Sequence, residues 1–557
     1  MSYISTTNGL RKPLVNWSQI NWRKVNKTVK NLRQRIFLAS KLGNFRKLRS
    51  LQKLMQRNYA NLLLSVRRIT QTNKGKATAG IDGEKIDTPA QRVILVNNWN
   101  GGNFQPTKRV EIPKSNGKKR PLGIPTVRAG RGTRLADRIE QSIIKNSLEP
   151  EWEARFEPNS YGFRQSRSCQ DAIQQNFIRV CNGRDTWVLE ADIKGFFDNI
   201  AHESILKELG NFPGRNLIKE WLKAGYIFDG TYHPTEKGTP QGGVISPLLA
   251  NIGLHGLETF IKSTNPKLSV VRYADDFIVT AREKEPLETI QLQIKQWLSL
   301  RGLELSSEKT FITSIEDGFD FLGFHHRHYS GKLLIKPSKQ KVLDFCKRIG
   351  KEIKALNGAE QELVIRKLNP ILRGFANYYK GAVSKETFHY ISYRIWQYLW
   401  RWSKRRHPSK NTHWVRNRYF KTIRGNRWTF ASTISDRRGN EKDLILYSIA
   451  SVSIERHIKV KGDASPDNPS LREYWNKRYQ KWGKSYWEKN SRNYKIAQNQ
   501  NWTCPSCGEP LLNDEELETH HIISVAVGGL DDIENLQHLH KACHKQINSK
   551  SKFSRLK

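Results

Sequence analysis

The chain has 557 residues, enough for several domains and a sizeable core, and its 95 Lys and Arg against 52 Asp and Glu give a net charge of +43. An excess of that size points to a polyanionic partner, most simply nucleic acid. A membrane surface is the alternative, but no apolar stretch approaches the ~20 residues of a spanning helix and no secretory signal is visible. Cys169, Cys181 and Cys346 stand alone while Cys504, Cys507 and Cys543 cluster, which fits one metal site in a reducing compartment and not a disulfide framework.

The first 81 residues hold eighteen Lys and Arg and no acid. An organellar transit peptide has such a composition, but the run is too long for one. Apolar residues at Val25, Val29, Leu32 and Ile36, then Phe45, Leu48 and Leu51, predict two amphipathic helices with basic outer faces. Lys24 and Arg33 are candidates there for RNA phosphate contact; a merely solvated basic face is the plainer reading.

Further on, Val110–Lys114 reads as a strand entering a turn at Ser115-Asn116-Gly117, with a basic return strand. Lys114 and Arg120 on this hairpin could lie along a triphosphate, Arg by bidentate contacts and Lys as a point charge; taken by itself the hairpin reads rather as a solvent-facing one. Trp187–Ile193 is a second apolar strand, ending in Asp192. Phe197 beyond it is either core or a wall against the sugar of a nucleotide, and Gly238–Gly243, with Gln241, is a glycine-rich loop permitting close backbone approach. Val270 to Val279 predicts two strands meeting at a tight turn with Asp275 and Asp276 at its tip. An ordinary Asp-rich turn has the same look. A third carboxylate, from Asp192, would make it a site for two Mg²⁺ ions.

Taken in order, the basic hairpin, Asp192, the Pro240-Gln241-Gly242 loop, Tyr273-Ala274-Asp275-Asp276, Leu305–Lys309 and Phe321-Leu322-Gly323-Phe324 resemble a reverse transcriptase. The resemblance implies metal binding by Asp192, Asp275 and Asp276. It also implies dNTP contacts from Lys114, Arg120, Phe197 and Gln241, with Lys309 near the departing pyrophosphate. Helical periodicity resumes at Val342, Phe345, Ile349 and Ile353, and Leu368–Tyr379 with Arg405–Lys410 resembles the maturase region of group II intron-encoded proteins. Arg373, Arg405, Arg406, Lys410 and Arg416, with Trp and Tyr between them, suit stacking and backbone contact with folded RNA; a generic basic linker is the alternative. Tyr474 to Trp482 alternates aromatic and basic residues, as a DNA-contacting segment or a basic packing helix would.

At the carboxyl end Cys504-Pro505-Ser506-Cys507 is answered by His540-Lys541-Ala542-Cys543, two pairs that can close a tetrahedral structural zinc. With Glu518-Thr519-His520-His521, Gly528-Gly529, Asn535 and His544, the module resembles an HNH endonuclease, a hairpin and helix around one divalent ion. That resemblance implies His521 as general base, Asn535 orienting it, and His520 with His544 holding the ion. A zinc ribbon that binds DNA without cutting is the alternative.

The whole set implies an α+β multidomain chain with right-hand fingers and palm around a small antiparallel sheet. The expected divisions are a basic helical extension (1–70), reverse transcriptase (71–330), thumb and maturase (331–432), a DNA-binding segment (433–500) and an HNH module braced by zinc (501–557). Expected partners are group II intron RNA, target DNA and dNTPs, with no membrane, in the bacterial cytoplasm beside the nucleoid or in an organelle. The oligomeric state is not indicated. The implied activity joins polymerase, maturase and endonuclease in intron homing; the rival is a splicing-only RNA chaperone with relic enzymatic domains.

Overall fold

The computed structural model describes residues 13–73, 86–99, 101, 106–113, 117, 119–124, 137–423, 425–435, 441–487, 489–513 and 515–554. Both basic helices form, Trp22–Lys41 and Phe45–Arg57, each opened by an asparagine (Asn21, Asn44) whose side chain accepts from the third amide of the helix. Their apolar stripes, Val25 to Ile36 and Leu48 to Met55, pack together and against the helix Asp137–Glu153. A third helix, Tyr59–Arg67, completes this layer. Arg33 falls one turn after Val29, on the inward side, and this overturns its assignment to RNA. It is buried, forked on Asp467 at 2.9 and 2.7 Å and 3.0 Å from Glu149, so its charge is already matched inside the protein.

The basic hairpin is present as β1 (Thr107–Pro113) and β2 (Lys119–Ile124), with Pro113 opposite Lys119. After β3 (Trp187–Asp192) come β4 (Tyr226–Phe228) and β5 (Thr231–His233), which extend the hairpin into a sheet of order β2-β1-β4-β5. β6 (Ser269–Tyr273), β7 (Asp276–Ala281) and β8 (Phe311–Ser314) join β3 in an antiparallel sheet of order β6-β7-β3-β8. Alternation sends Val188, Val271 and Ile278 into one core and Leu189, Val270 and Val279 into another, the second shared with the helices Ser246–Gly253 and Glu285–Ser299. Coverage on both faces is why these strands read as continuous apolar runs.

The first core continues into β9 (Phe319–Phe321), β10 (Phe324–Tyr329) and β11 (Lys332–Pro337), then the helices Lys339–Ala355, Gln361–Tyr379, Lys385–Arg406 and Thr412–Tyr419. A three-stranded sheet follows, β12 (Phe420–Ile423), β13 (Asn426–Ser435) and β14 (Glu441–Ile445). The chain ends with helices Arg472–Tyr486 and Arg492–Asn499, the hairpin of β15 (Leu517–His521) and β16 (Leu536–His540), and helix Lys541–Ser554.

Four expected divisions are corrected by pairing or packing. The cut at 330/331 falls in the turn between β10 and β11, and the one at 432/433 falls inside β13, which pairs with β14. The cut at 500/501 separates helix Arg492–Asn499 from β16, although Gln500 bonds His538 through both its amide oxygen and its nitrogen. The amino-terminal helices are not a free extension either: Trp17, Trp22, Val66 and Ile69 share one core with Trp502, Cys504, Cys507, Leu539 and Cys543. In the segment expected to touch DNA, Trp475 and Arg478 are buried. Arg478 donates to Asp171 at 3.1 Å and to the Ile458 carbonyl at 2.7 Å, and Tyr479 meets the Ser166 hydroxyl at 2.9 Å. That face is packing; Lys477 and Lys481 remain exposed.

Candidate active sites: a carboxylate turn and a histidine hairpin

The register of β3 against β7 places Asp192 directly opposite Asp276, and the β6–β7 turn holds Asp275 beside it. The turn is tight enough that Ala274 takes a positive φ of 60°, a costly conformation for a residue with a Cβ. Buried Arg272 holds it there, donating to the Ala274 carbonyl at 3.2 Å, to Asn251 at 3.1 Å and to the Ser160 hydroxyl at 2.7 Å. Gly162 runs beneath the turn so closely that a Cβ would overlap the Ala274 backbone nitrogen. Lost hydration, then repulsion from Asp275 and Asp192, pushes Asp276 up to about 7, although its side chain still reaches solvent. An open carboxylate cluster this crowded invites cations. One is covalently supplied: the segment after Leu305 extends along β3, its Ser306 amide bonds the Asp192 carbonyl at 2.8 Å, and Lys309 Nζ reaches Asp192 Oδ2 at 2.7 Å.

Phe197 lies half-buried in a short helix, Phe196–Asn199, edge-on to Phe196 and to the exposed Phe163. The glycine-rich loop is pinned between this helix and β2. Thr239 donates to the Phe197 carbonyl at 2.7 Å, and the Gly123 amide donates to the Gln241 carbonyl at 2.6 Å. Gly238, with φ of 85°, passes where a Cβ would lie 2.7 Å from the Asp198 carbonyl oxygen. So Phe197, Gln241 and the β2 backbone are one contiguous wall. Arg120 lies in β2 opposite Ile112, and Lys114 lies outside the described residues.

In the carboxyl module Cys504, Cys507, His540 and Cys543 are all buried, with ligand atoms within 4.8 Å of one another. His540 turns Nδ1 toward the Cys507 sulfur at 3.3 Å, while Nε2 meets the Pro510 carbonyl at 3.1 Å, as a metal-binding imidazole fixed by an outer hydrogen bond should. Three sulfurs and an imidazole at this spacing fit a tetrahedral Zn²⁺ donor set. On the hairpin, the His520 and His544 rings lie 4.9 Å apart, and His544 Nδ1 sits 2.5 Å from Glu518. Burial first, and then the neighbouring His544 and His521, lower the His520 pKa, which keeps it neutral and able to ligate.

His521 Nε2 meets Asp531 at 2.8 Å, and Arg492 stands 3.0 Å from the same carboxylate. Asn535, expected to orient the base, instead braces the loop between the strands. Its amide bonds Ile523 N and O at 2.7 and 3.0 Å and the Leu530 carbonyl at 2.7 Å. Among the described residues every hydrogen bond of this side chain goes to loop backbone, which corrects its role to that of a positioning residue. Asp531, Glu518, Arg272 and Gly162 were missed by sequence reasoning. Asp531 lies just beyond the Gly528-Gly529 turn, Glu518 opens the histidine motif and Arg272 adjoins the acidic pair; Gly162 had no local signal.

Of the expected RNA contacts, Lys24, Arg373, Arg405 and Lys410 are exposed. Arg406 is half-buried and donates to the Asn357 and Ala359 carbonyls at 2.9 and 2.8 Å, a structural task that corrects its assignment. Arg416 is half-buried with its guanidinium over Trp428.

Residues 112–326 match the reverse transcriptase (RNA-dependent DNA polymerase) family and 17–99 the N-terminal domain of reverse transcriptase. Residues 342–420 match the group II intron maturase-specific domain and 504–550 the HNH endonuclease family. The chain is thus a reverse transcriptase carrying a maturase domain and an HNH endonuclease. It is 34% identical over 309 residues to protein YkfC of Escherichia coli, 47% of this chain and 79% of that one. It is 30% identical over 423 residues to the group II intron-encoded protein LtrA of Lactococcus lactis, 58% of this chain and 69% of that one. A telomerase structure from Candida tropicalis aligns at 16% identity with a TM-score of 0.32, over 42% of this chain and 55% of that one. This chain belongs to the group II intron-encoded proteins. Among the described residues no helix is long and apolar enough to cross a membrane.

Proposed function

We propose that the protein clamps its own group II intron RNA in the splicing-active fold, and that the RNA–protein particle then copies the intron into DNA. The observation that carries this reading is the strand register that puts Asp192 opposite Asp276 at the Asp275 turn. These oxygen donors would hold two Mg²⁺ ions, which supply activation of a primer 3′-hydroxyl and charge neutralisation of departing pyrophosphate. Around them Lys309 offers its ammonium to the phosphate oxygens, Lys114 and Arg120 grip the triphosphate, and Gln241 packs on the incoming nucleotide. Phe197, fixed edge-on by Phe196 and Phe163, walls off the sugar 2′ position and so selects dNTPs. The four-stranded sheet of β1 and β2 acts as fingers, the carboxylate sheet as palm, and the helices Lys339–Ala355 to Thr412–Tyr419 as thumb and RNA-binding maturase surface. Arg373, Arg405, Lys410 and Arg416 contact RNA there, interleaved with Trp414 and Trp428, and Lys24 does so from the amino-terminal helix Trp22–Lys41.

The HNH module nicks the opposite target strand. With Asp531 accepting from His521 Nε2–H, Nδ1 is the nitrogen left to take a proton from water. His520 and His544 would hold one divalent ion, whose chemistry is stabilisation of the phosphate's developing charge. Cys504, Cys507, His540 and Cys543 hold Zn²⁺ and brace the hairpin against its helix. With relatives in Escherichia coli and Lactococcus lactis as well as a cox1 intron protein of Saccharomyces cerevisiae, the protein acts in the bacterial cytoplasm beside the nucleoid or in an organelle. The test is to sequence the RNA that co-purifies with the full chain and to offer the particle a duplex carrying the intron's own insertion site. Enrichment of one intron and cDNA joined to the nicked strand are expected. Bulk cellular RNA with no enrichment contradicts the reading.

A further inference from the structure

The cysteine cluster is not enclosed by its own module. Cys504, Cys507 and Cys543 lie in the core that includes Trp17, Trp22, Val25, Val66 and Ile69 from the amino-terminal helices. From helix Tyr59–Arg67, the Arg67 guanidinium donates to Cys543 Sγ at 3.1 Å and stands 4.6 Å over the Trp22 ring, its side chain only 4% exposed. Its nearest carboxylate oxygen, on Glu515, is 3.7 Å away and has no hydrogen-bond partner, so it does not satisfy this charge at bonding distance. Side-chain amides bonded to backbone carbonyls tie the same two regions. Asn26 donates to the Cys507 carbonyl at 3.4 Å, and Gln546 to the Ser18 and Ile20 carbonyls at 2.6 and 2.8 Å.

Three thiolates around a divalent ion leave one negative charge in excess. A buried guanidinium needs a buried anion, because an unpaired one is strongly destabilising. We infer that the loaded cysteine cluster is the joint between nuclease and polymerase, with Arg67 of the amino-terminal helices as the outer partner that balances its charge. Without the ion nothing holds Cys504, Cys507 and Cys543 in the shape against which Arg67 and Trp22 pack, so docking of the module follows metal binding. This rests on the zinc reading above and goes beyond it. A structural zinc serving only its own hairpin would have no use for a cation from the far end of the chain.

The experiment uses the full chain. Zinc per chain is measured by elemental mass spectrometry, its release to a chelating dye is timed, and hydrogen exchange is followed before and after chelation. Arg67→Met is expected to release zinc roughly 10–100-fold faster, the usual cost of losing an outer partner. Arg67→Lys, which keeps the charge and serves as a folding reference, should fall between that and the parent. Chelation should deprotect residues 22–41 and 59–67 together with 502–543. Zinc release from Arg67→Met at the parent rate, with exchange changes confined to 502–543, overturns the joint while leaving the zinc reading intact. A parent chain that takes up no zinc when supplied with it overturns both.

Discussion

The two clusters that gather charge in this protein are assembled in opposite ways. At the aspartate turn, strand register brings three carboxylates together, and lost hydration first, then repulsion from Asp275 and Asp192, lifts Asp276 to about 7. At the cysteine cluster four ligands close over themselves in full burial, and the balancing cation, Arg67, arrives from another part of the chain. The first arrangement stores unfavourable charge where, on the function proposed above, a cation and a nucleotide come and go. The second removes charge from solvent where nothing needs to leave. An open site can exchange its ions with each turnover, and a buried one holds a shape.

The comparison breaks most severely at the turn. Asp276→Asn keeps size and hydrogen bonding but removes one negative donor, so nucleotide addition on an RNA template should fall by at least about 10³-fold, several kcal/mol at ~1.4 kcal/mol per tenfold. Zinc content and fold should be unchanged, since relieving like charges does not unfold a sheet. Single-nucleotide primer extension measures this, and retained incorporation would remove the turn from the chemistry. His521→Ala should lower strand nicking about 10²–10³-fold, within the range of general-base catalysis. Extension of a supplied primer should be untouched; a parallel loss of both would signal misfolding of the module. Gly162→Ala tests position without touching charge. The added Cβ must displace the Ala274 backbone, and a shift near 1 Å is worth about 10²-fold in kcat. An unchanged kcat would show that the turn tolerates movement.

The smallest effect concerns how the late helix Arg472–Tyr486 is anchored. Burial alone would raise the Asp171 pKa, but hydrogen bonds from His457 and the Val460 amide, with Arg478 beside it, hold it down to about 2, against 3.8 unfolded. A depressed carboxylate stabilises the native state fully above 3.8 and loses that contribution as pH falls toward 2. Asp171→Asn should therefore lower the urea midpoint, read by tryptophan fluorescence, clearly at pH 6 and by roughly half as much near pH 3. An equal loss at both would place the effect elsewhere.

How much of this was legible in the chain follows the same division. Asp192, Asp275 and Asp276 stood out because each ends or interrupts an apolar run, and the cysteine pairs because their spacing is local. Arg33 and Arg406 read as surface charge because only tertiary partners, Asp467 and two distant carbonyls, reveal that they face inward. The sheet of β12 to β14 escaped notice because its mostly exposed strands lack an alternating apolar face. Arg272 sat in plain view beside the acidic pair, yet burial and the carbonyl it holds are properties of the folded turn. Asn535 was found by resemblance and given the wrong task, since its geometry depends on where a loop closes.

The central claim is that residues 192, 275 and 276 hold ions in common. Replacing Mg²⁺ with Fe²⁺ and generating hydroxyl radicals cuts a polypeptide wherever the metal sits. Paired cuts beside residue 192 and beside residues 275–276, both lost in Asp276→Asn, are the result expected. Cuts at one segment alone, or cuts that survive the substitution, would contradict it.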